Sequence, residues 1–169
     1  MGAGGCFTLV SPRDGKLSSD GQSLPNKRKI ITRINGYHGV TIGASSMTAK
    51  PYNKEFGLPS SEFIHVDCPH YWKYGLENES EEEFSFRIAS KLENIILKEN
   101  PDTIAGYVAE PVQGAGGVIP PSKNYFDLIQ PILKKYQIPL IADEVICGFG
   151  RTGELWGCDT YNIKPDIII

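Results

Sequence analysis

The sequence lacks the features that mark membrane-spanning, secreted and zinc-binding proteins. No apolar run approaches the roughly 20 residues that a transmembrane helix needs. The first residues, MGAGGCFTLV, show neither the basic start nor the long apolar segment of a signal peptide. Cysteine is scarce and forms no C-x-x-C pair, which argues against a disulfide framework or a zinc cluster. A reducing compartment, the cytoplasm by default, is therefore expected for the four cysteines, which are Cys6, Cys68, Cys147 and Cys158.

An excess of charge of one sign is also missing. The formal net charge is −3 over 169 residues, which is typical neither of a nucleic-acid-binding surface nor of a polybasic membrane-binding patch. We therefore expect no nucleic-acid partner and no membrane partner. A hydrophobic content of 40% and a charged content of 22% fit a globular protein of one domain, or most of a larger one.

Residues 1–28 are polar and rich in Gly, Ser and Pro, and they show no amphipathic period. This composition predicts a loop or a disordered leader that is unrelated to the domain following it. The domain itself is predicted to occupy residues 29–169.

From residue 29 onward, short apolar runs alternate with helical patterns. Uninterrupted apolar strands that alternate with helices are typical of an α/β fold, in which a mostly parallel sheet carries helices on both faces. The first long helix is predicted to begin after Ser80, where S-E-E-E forms a capping box with Glu83, and to end before Pro101. The second covers residues 122–136 and is expected to bend near Pro131. The predicted strands are 29–33, 62–66, 104–109, 139–142 and 165–169.

Carboxylates follow two of these strands at the point where each strand ends. Glu110 comes directly after strand 104–109, and Asp143 and Glu144 come directly after strand 139–142. In open parallel sheets, ligands bind beyond the carboxyl ends of the strands. The sequence therefore predicts a functional site at this edge of the sheet.

Several interpretations of these residues remain open. Asp143 suits a helix cap or a salt bridge, for example with Arg151, and it also suits a metal, a sugar hydroxyl or a cationic heterocycle as its partner. A metal would need further ligands, for which only Glu110 and Glu144 are near in sequence. The run GAGG at 114–117 is a weak nucleotide-binding signal, because it follows an acid and a proline rather than opening a helix directly after a first strand.

A second glycine-flanked motif, Gly36-Tyr37-His38-Gly39, follows the first strand. It fits a simple turn in which the tyrosine packs and the histidine is hydrogen-bonded or solvated. It also fits a flat aromatic ring placed against a flat ligand.

Taken together, these segments resemble the class III aminotransferases, which are pyridoxal-phosphate enzymes of fold type I. The segments that carry the resemblance occur in that family's order and spacing: YHGVTIGASSMT (37–48), EPVQGAGGVIPP (110–121), DEVICGFGRTGELWG (143–157) and PDIII (165–169). The linker VDCPHYWKYGLENESEEEF (66–84) is most similar to that of the ω-amino-acid:pyruvate subgroup. The resemblance covers about residues 25 to 169 and implies part of the large, cofactor-binding domain.

The resemblance implies cofactor-binding roles for five residues. Asp143 would pair with the pyridine nitrogen of pyridoxal 5'-phosphate and keep it protonated, so that the ring acts as an electron sink. Tyr37 and Val145 would pack against opposite faces of the ring, and His38 would support the site. Glu110 would lie near the cofactor and the substrate. By contrast, we expect a structural or supporting role for Glu144, and we expect Arg151 to brace its turn.

The implied activity is transamination, in which an amino group moves from an ω-amino acid or an amine to a keto acid such as pyruvate. The small-molecule donor and acceptor are the expected partners, with a homodimer as the assembly of the intact family. Other class III members, such as aminomutases or ornithine- and 4-aminobutyrate-type aminotransferases, remain alternatives. So does a non-catalytic α/β ligand-binding module or pseudoenzyme.

The resemblance also implies parts that this sequence does not contain. The family's catalytic lysine follows the strand that PDIII matches, so it is expected beyond Ile169, and no catalytic residue is assigned within the chain. The Gly-Ser-rich phosphate-binding segment expected upstream of the first strand is not recognised, and the C-terminal small domain is absent. The chain is therefore expected to be a truncated piece that is inactive alone.

Overall fold

The computed structural model describes residues 16–17, 23–24, 26–48 and 50–169. Most of the leader predicted for residues 1–28 lies outside the described residues. Two short strands fall within it, β1 (Lys16–Leu17) and β2 (Ser23–Leu24), and they pair in antiparallel fashion.

Five parallel strands form the main sheet, which confirms the predicted α/β class. Their spatial order is β4-β3-β5-β6-β7, and every neighbouring pair is parallel. Each strand lies within one of the five segments predicted from the sequence. Their bounds are β3 (Lys29–Arg33), β4 (Phe63–Val66), β5 (Ile104–Ala109), β6 (Leu140–Ala142) and β7 (Ile167–Ile168).

Helices connect these strands, and the two long ones are those that the sequence predicts. The shorter helices were not predicted, because four to six residues are too few to show a helical period. None of the helices in the described part of the chain is both long enough and apolar enough to cross a bilayer. The helices are α1 (Ile42–Met47), α2 (Tyr71–Tyr74), α3 (Glu81–Glu99), α4 (Tyr125–Lys135) and α5 (Gly157–Thr160), with 3-10 helices at Pro51–Phe56 and Pro101–Thr103.

The capping box at the start of α3 is confirmed. The Ser80 hydroxyl accepts a hydrogen bond from the Glu83 backbone N–H at 3.2 Å, and the Glu83 carboxylate accepts one from the Ser80 N–H at 2.8 Å. Helix α4 begins at Tyr125, three residues later than predicted, and it contains Pro131 within one continuous span. The bend expected at Pro131 stays a prediction.

Both faces of the central strand β5 are buried. All six residues of β5 are buried, with Tyr107 facing the apolar cluster that α3 and α4 cover and Val108 facing a second cluster that includes Ala44 and Met47 of α1. A strand buried on both faces explains why β5 appears in the sequence as an uninterrupted apolar run.

The order of the strands reverses at β3. The chain passes from β3 to β4 on one side and then returns to β5 on the other side of β3. Such a switch point leaves a crevice outside the carboxyl ends of the strands. This rule places the crevice beside the loops that follow β3, β5 and β6, which contain all the site residues predicted from the sequence.

Candidate functional site

Asp143 lies at the carboxyl end of β6 and is held in place by its neighbours. Its backbone N–H donates to the Ala109 carbonyl at 2.9 Å, which extends the β5–β6 ladder by one residue. The side chain is 4% exposed, and its Oδ2 lies 2.8 Å from Nδ1 of His38. Its Oδ1 accepts from the Val145 N–H at 3.2 Å. Asp143 is therefore paired with His38, while Arg151, the partner considered from the sequence, is exposed.

His38 lies in the loop after β3 and contacts Asp143, although the two residues are 105 positions apart in the sequence. Its backbone N–H donates to the Thr48 hydroxyl at 2.9 Å, and its ring Nε2 lies 3.0 Å from Oγ1 of Thr32. The turn packs tightly at Gly36, because a Cβ there would lie 3.0 Å from the Arg33 carbonyl oxygen and 3.1 Å from His38 Nε2. The imidazole is thus fixed by both of its nitrogens and by the close approach of the turn.

Glu110 at the end of β5 joins two loops. Its Oε1 accepts from the Tyr37 N–H at 3.1 Å, and its Oε2 accepts from the Gly114 N–H at 2.9 Å. Burial raises the pKa of this carboxyl group, although the nearby His38 and Arg33 and the two backbone donors oppose the shift. Glu110 is therefore a buried acid whose two oxygens hold the Tyr37 loop and the glycine-rich loop together.

Arg33 is bonded to the backbone at the carboxyl end of β5. Its side chain is fully buried, and its guanidinium group donates to the backbone carbonyl of Glu110. The guanidinium carbon lies 5.9 Å from the centre of the Tyr125 ring and 5.7 Å from that of Phe126, so aromatic faces surround the charge. The sequence analysis missed Arg33 and Thr32 as site residues. The available signal was two polar residues, Thr32 and Arg33, that directly follow the apolar pair Ile30-Ile31 within a strand.

Tyr37 and Val145 lie beside the two acids. Tyr37 is half-buried, and its backbone is bonded to Glu110. Val145 is 49% exposed, and its backbone is bonded to Asp143. The structure thus brings all five predicted cofactor-binding residues to the same edge of the sheet. Whether the two side chains flank a ligand remains a proposal.

Glu144 points away from this group and binds the start of α5. Its Oε1 accepts from the Cys158 N–H at 2.7 Å, and its Oε2 accepts from the Gly157 N–H at 3.0 Å. The two adjacent carboxylates at the end of β6 therefore have different environments, as expected from the divergence of neighbouring side chains in extended chain. Glu144 is 3% exposed and bonded within the chain through both carboxylate oxygens.

The glycines of the GAGG run allow close contact between loops. A Cβ at Gly114 would lie 2.4 Å from the Ile146 side chain, and one at Gly116 would lie 2.3 Å from the Asn35 carbonyl oxygen. The weak nucleotide-binding signal thus has a packing explanation. Across the residues that the structure describes, no three His, Cys, Asp or Glu side chains are placed to hold a metal ion.

Comparison with known proteins gives consistent results. The family model for class III aminotransferases matches residues 16–169. A probable gamma-aminobutyrate transaminase 3, mitochondrial, from rice is 57% identical over 145 residues, which are 85% of this chain and 28% of the rice protein. An aminotransferase from Vibrio fluvialis, solved in a PMP-bound form, is 64% identical, with a TM-score of 0.84 over 85% of this chain and 32% of that one. An omega-aminotransferase from Paracoccus denitrificans gives the same values.

This chain therefore spans about a third or less of the length of the relatives it matches. The family model nevertheless covers all of the chain from residue 16 onward. The strand order and the edge that holds Asp143, Glu110 and His38 lie within that match. The chain belongs to the class III aminotransferase family.

Proposed function

We propose that the protein containing this chain is a transaminase that uses pyridoxal 5'-phosphate. The observation that carries the proposal is the buried carboxylate of Asp143, fixed at the end of β6 by His38 and by the Val145 N–H. Family membership and a Vibrio fluvialis relative solved in a PMP-bound form support the choice of cofactor.

The residues of the crevice fit the chemistry of this cofactor. A protonated pyridine nitrogen needs an anion in a dry environment, and Asp143 is an acid of 4% exposure whose position its neighbours fix. A flat ring needs flat or apolar surfaces on its two faces, and Tyr37 and the half-exposed Val145 supply an aromatic and an aliphatic side chain at this edge. We assign the two ring faces to these side chains.

When bound, the cofactor supplies an electron sink for the charge that develops when the donor loses its α-proton. Asp143 would hold a proton on the pyridine nitrogen, and His38 would keep the Asp143 carboxylate in one orientation. Glu110 would offer its carboxylate to the substrate amine or to a basic residue near it. The covalent attachment and the proton transfers need a lysine, which we place in the part of the protein beyond Ile169.

The proposed reaction moves an amino group from an ω-amino acid or an amine to a keto acid such as pyruvate. The names of two relatives support this class of donor. The rice relative is named for gamma-aminobutyrate, and the Paracoccus relative is named an omega-aminotransferase.

We also propose that the protein is a homodimer, since large apolar side chains such as Ile42, Phe56 and Trp72 are 75% to 89% exposed in this chain.

The test is transamination by the purified full-length protein loaded with pyridoxal phosphate. Gamma-aminobutyrate and a simple arylalkylamine are offered separately as donors with pyruvate, and alanine formation is measured. We expect turnover with at least one donor. Binding of the cofactor without turnover by any donor would favour the non-catalytic module or pseudoenzyme instead.

Borohydride reduction followed by peptide mapping tests the placement of the lysine. The covalently labelled lysine should lie outside residues 1–169, and a label on Lys164 or any other lysine of this chain would overturn that placement.

Sedimentation of the same preparation tests the dimer. The compartment is to be measured by imaging, since the rice relative is named mitochondrial whereas the cytoplasm was expected for this sequence.

A further inference from the structure

Arg33 brings a positive charge into the interior of the protein. It lies at the carboxyl end of β3, is 2% exposed, and donates from its guanidinium group to the main-chain carbonyl of Glu110. None of the ion pairs in the described part of the chain includes Arg33. A guanidinium group does not lose its proton in proteins, and a buried charge is costly unless it is balanced. The anion that balances Arg33 must therefore be sought among its other neighbours.

Four titratable groups interact electrostatically with the guanidinium group, and three of them stay uncharged at neutral pH. The hydroxyl groups of Tyr107 and Tyr125 lie 2.6 Å apart, and burial raises the pKa of both phenols. Burial also raises the pKa of the Cys68 thiol. Glu110 is the fourth group, and it is the one acid among them that can supply a negative charge to balance Arg33.

The hydrogen bonds of the Glu110 side chain fit an ionised carboxylate. Both of its partners are donors, since Oε1 accepts from the Tyr37 N–H at 3.1 Å and Oε2 accepts from the Gly114 N–H at 2.9 Å. An ionised carboxylate accepts at both oxygens, whereas a proton on either oxygen would compete with one of these N–H donors. The observed bonds therefore favour the charged form of Glu110.

Burial works against this charge, so the surroundings of Glu110 must offset it. Burial raises the pKa of the carboxyl group, and His38 and then Arg33 oppose the shift, followed by the two backbone donors. The Cys147 thiol also interacts with Glu110, but burial raises the pKa of that thiol, which stays uncharged at neutral pH. The His38 ring is bonded to the second acid, Asp143. Arg33 is thus the permanently charged cation near Glu110.

We propose that Arg33 is a positioning residue for Glu110, because it holds the main chain of Glu110 and supplies the countercharge of its buried carboxylate. Arg33 touches neither substrate nor cofactor in this assignment, and it acts only through Glu110. The coupling between the two side chains is a property of residues within this chain. Its consequence for catalysis, which is a charged carboxylate offered to the substrate amine, rests on the proposed function.

A double-mutant cycle in the full-length protein tests the coupling, with urea denaturation at about pH 8 and about pH 4 as the measurement. Arg33→Met removes the cation, and Glu110→Gln removes the acid while keeping its shape. At the higher pH, Arg33→Met should raise the unfolding equilibrium constant by a factor about threefold or more larger in the wild-type background than in Glu110→Gln. At the lower pH, which is below the raised pKa of Glu110, Arg33→Met should have the same effect in both backgrounds.

Equal effects in the two backgrounds at both pH values would overturn the proposal, because a bond to a main-chain carbonyl does not depend on the charge of the Glu110 side chain. If Arg33→Met alone does not fold, adding Glu110→Gln should restore folding, since it removes the charge that is left unbalanced. A double variant that also fails to fold would overturn the proposal.

Transamination by the full-length protein tests the consequence for the site. The value of kcat/KM is measured against pH for wild type, Arg33→Lys and Arg33→Met. Loss of the cation raises the pKa of Glu110, so the acid limb should move to higher pH in Arg33→Met and keep its wild-type position in Arg33→Lys. An acid limb that stays in place in Arg33→Met would overturn the positioning role. If the cycle shows the coupling but wild type turns over no donor, the proposed function fails and the Arg33–Glu110 pair stands.

Discussion

The adjacent acids Asp143 and Glu144 should differ in what is lost when each is replaced by its amide. Glu144→Gln should lower the free energy of unfolding and keep the cofactor affinity, whereas Asp143→Asn should fold and lose transamination activity. Glu144→Gln replaces a buried carboxylate that accepts from the Gly157 N–H at 3.0 Å and from the Cys158 N–H at 2.7 Å. The amide keeps one acceptor oxygen and turns an NH₂ group toward the other backbone donor. One hydrogen bond to a charged group is lost, and one buried N–H is left unsatisfied.

The expected cost follows from these two bonds. A hydrogen bond to a charged group contributes about 1.5–3 kcal/mol, and an unsatisfied buried donor costs a similar amount. We therefore expect Glu144→Gln to lower the free energy of unfolding by about 2–3 kcal/mol and Glu144→Ala, which loses both bonds, by about 3–5 kcal/mol. These are large fractions of the 5–15 kcal/mol that is typical of a domain.

Urea denaturation of the full-length protein measures this difference, and cofactor affinity in native buffer is recorded beside it. Glu144→Gln should unfold at lower urea with an unchanged slope, while folded protein retains cofactor affinity close to that of wild type. A stability loss below about 0.5 kcal/mol, or a loss of cofactor binding at unchanged stability, would refute the structural role assigned to Glu144.

Two further predictions concern the same edge of the sheet. Burial raises the pKa of Glu110, so its contribution to stability is present below its ordinary pKa of 4.5 and is lost as the pH rises through the higher folded value. Denaturation at about pH 4 and pH 7 should therefore show the stability of wild type falling relative to Glu110→Gln as the pH rises, and a relative gain would contradict the raised pKa. Gly116→Ala should destabilise by about 1–3 kcal/mol, because its Cβ would lie 2.3 Å from the Asn35 carbonyl oxygen. The matched control Gly43→Ala in α1, where a Cβ meets nothing within 4 Å, should be neutral or stabilising by up to about 1 kcal/mol, and equal losses in both variants would contradict the packing explanation.

The sequence predicted the elements whose signals are local. The strand Ile104–Ala109 appears as an uninterrupted apolar run, and α3 has a complete capping box at Ser80 followed by apolar residues at helical spacing. These patterns arise from contacts within one element or from burial on both faces, so they are visible without knowledge of the fold. Short elements such as α1 carry no period and were missed.

The composition of the site was predicted in part, because carboxylates at strand ends stand out against apolar runs. The pairing of Asp143 with His38 was not predicted, since it depends on which strands become neighbours. The two residues are 105 positions apart in the sequence, and no local signal predicts that contact. Thr32 was overlooked for a related reason: a threonine in a strand is ordinary by propensity, and its hydrogen bond with His38 is visible only in the folded structure.

The central claim is that the Asp143 carboxylate partners the cofactor, and Asp143→Asn in the full-length protein tests it most directly. The amide preserves shape and can still bond to His38, so the variant should fold. Its transamination rate should fall by about 10²-fold or more because the fixed negative charge is lost. Asp127→Asn on the exposed surface of α4 is the control and should keep the wild-type rate. A folded Asp143→Asn protein that turns over within a few fold of wild type would contradict the account.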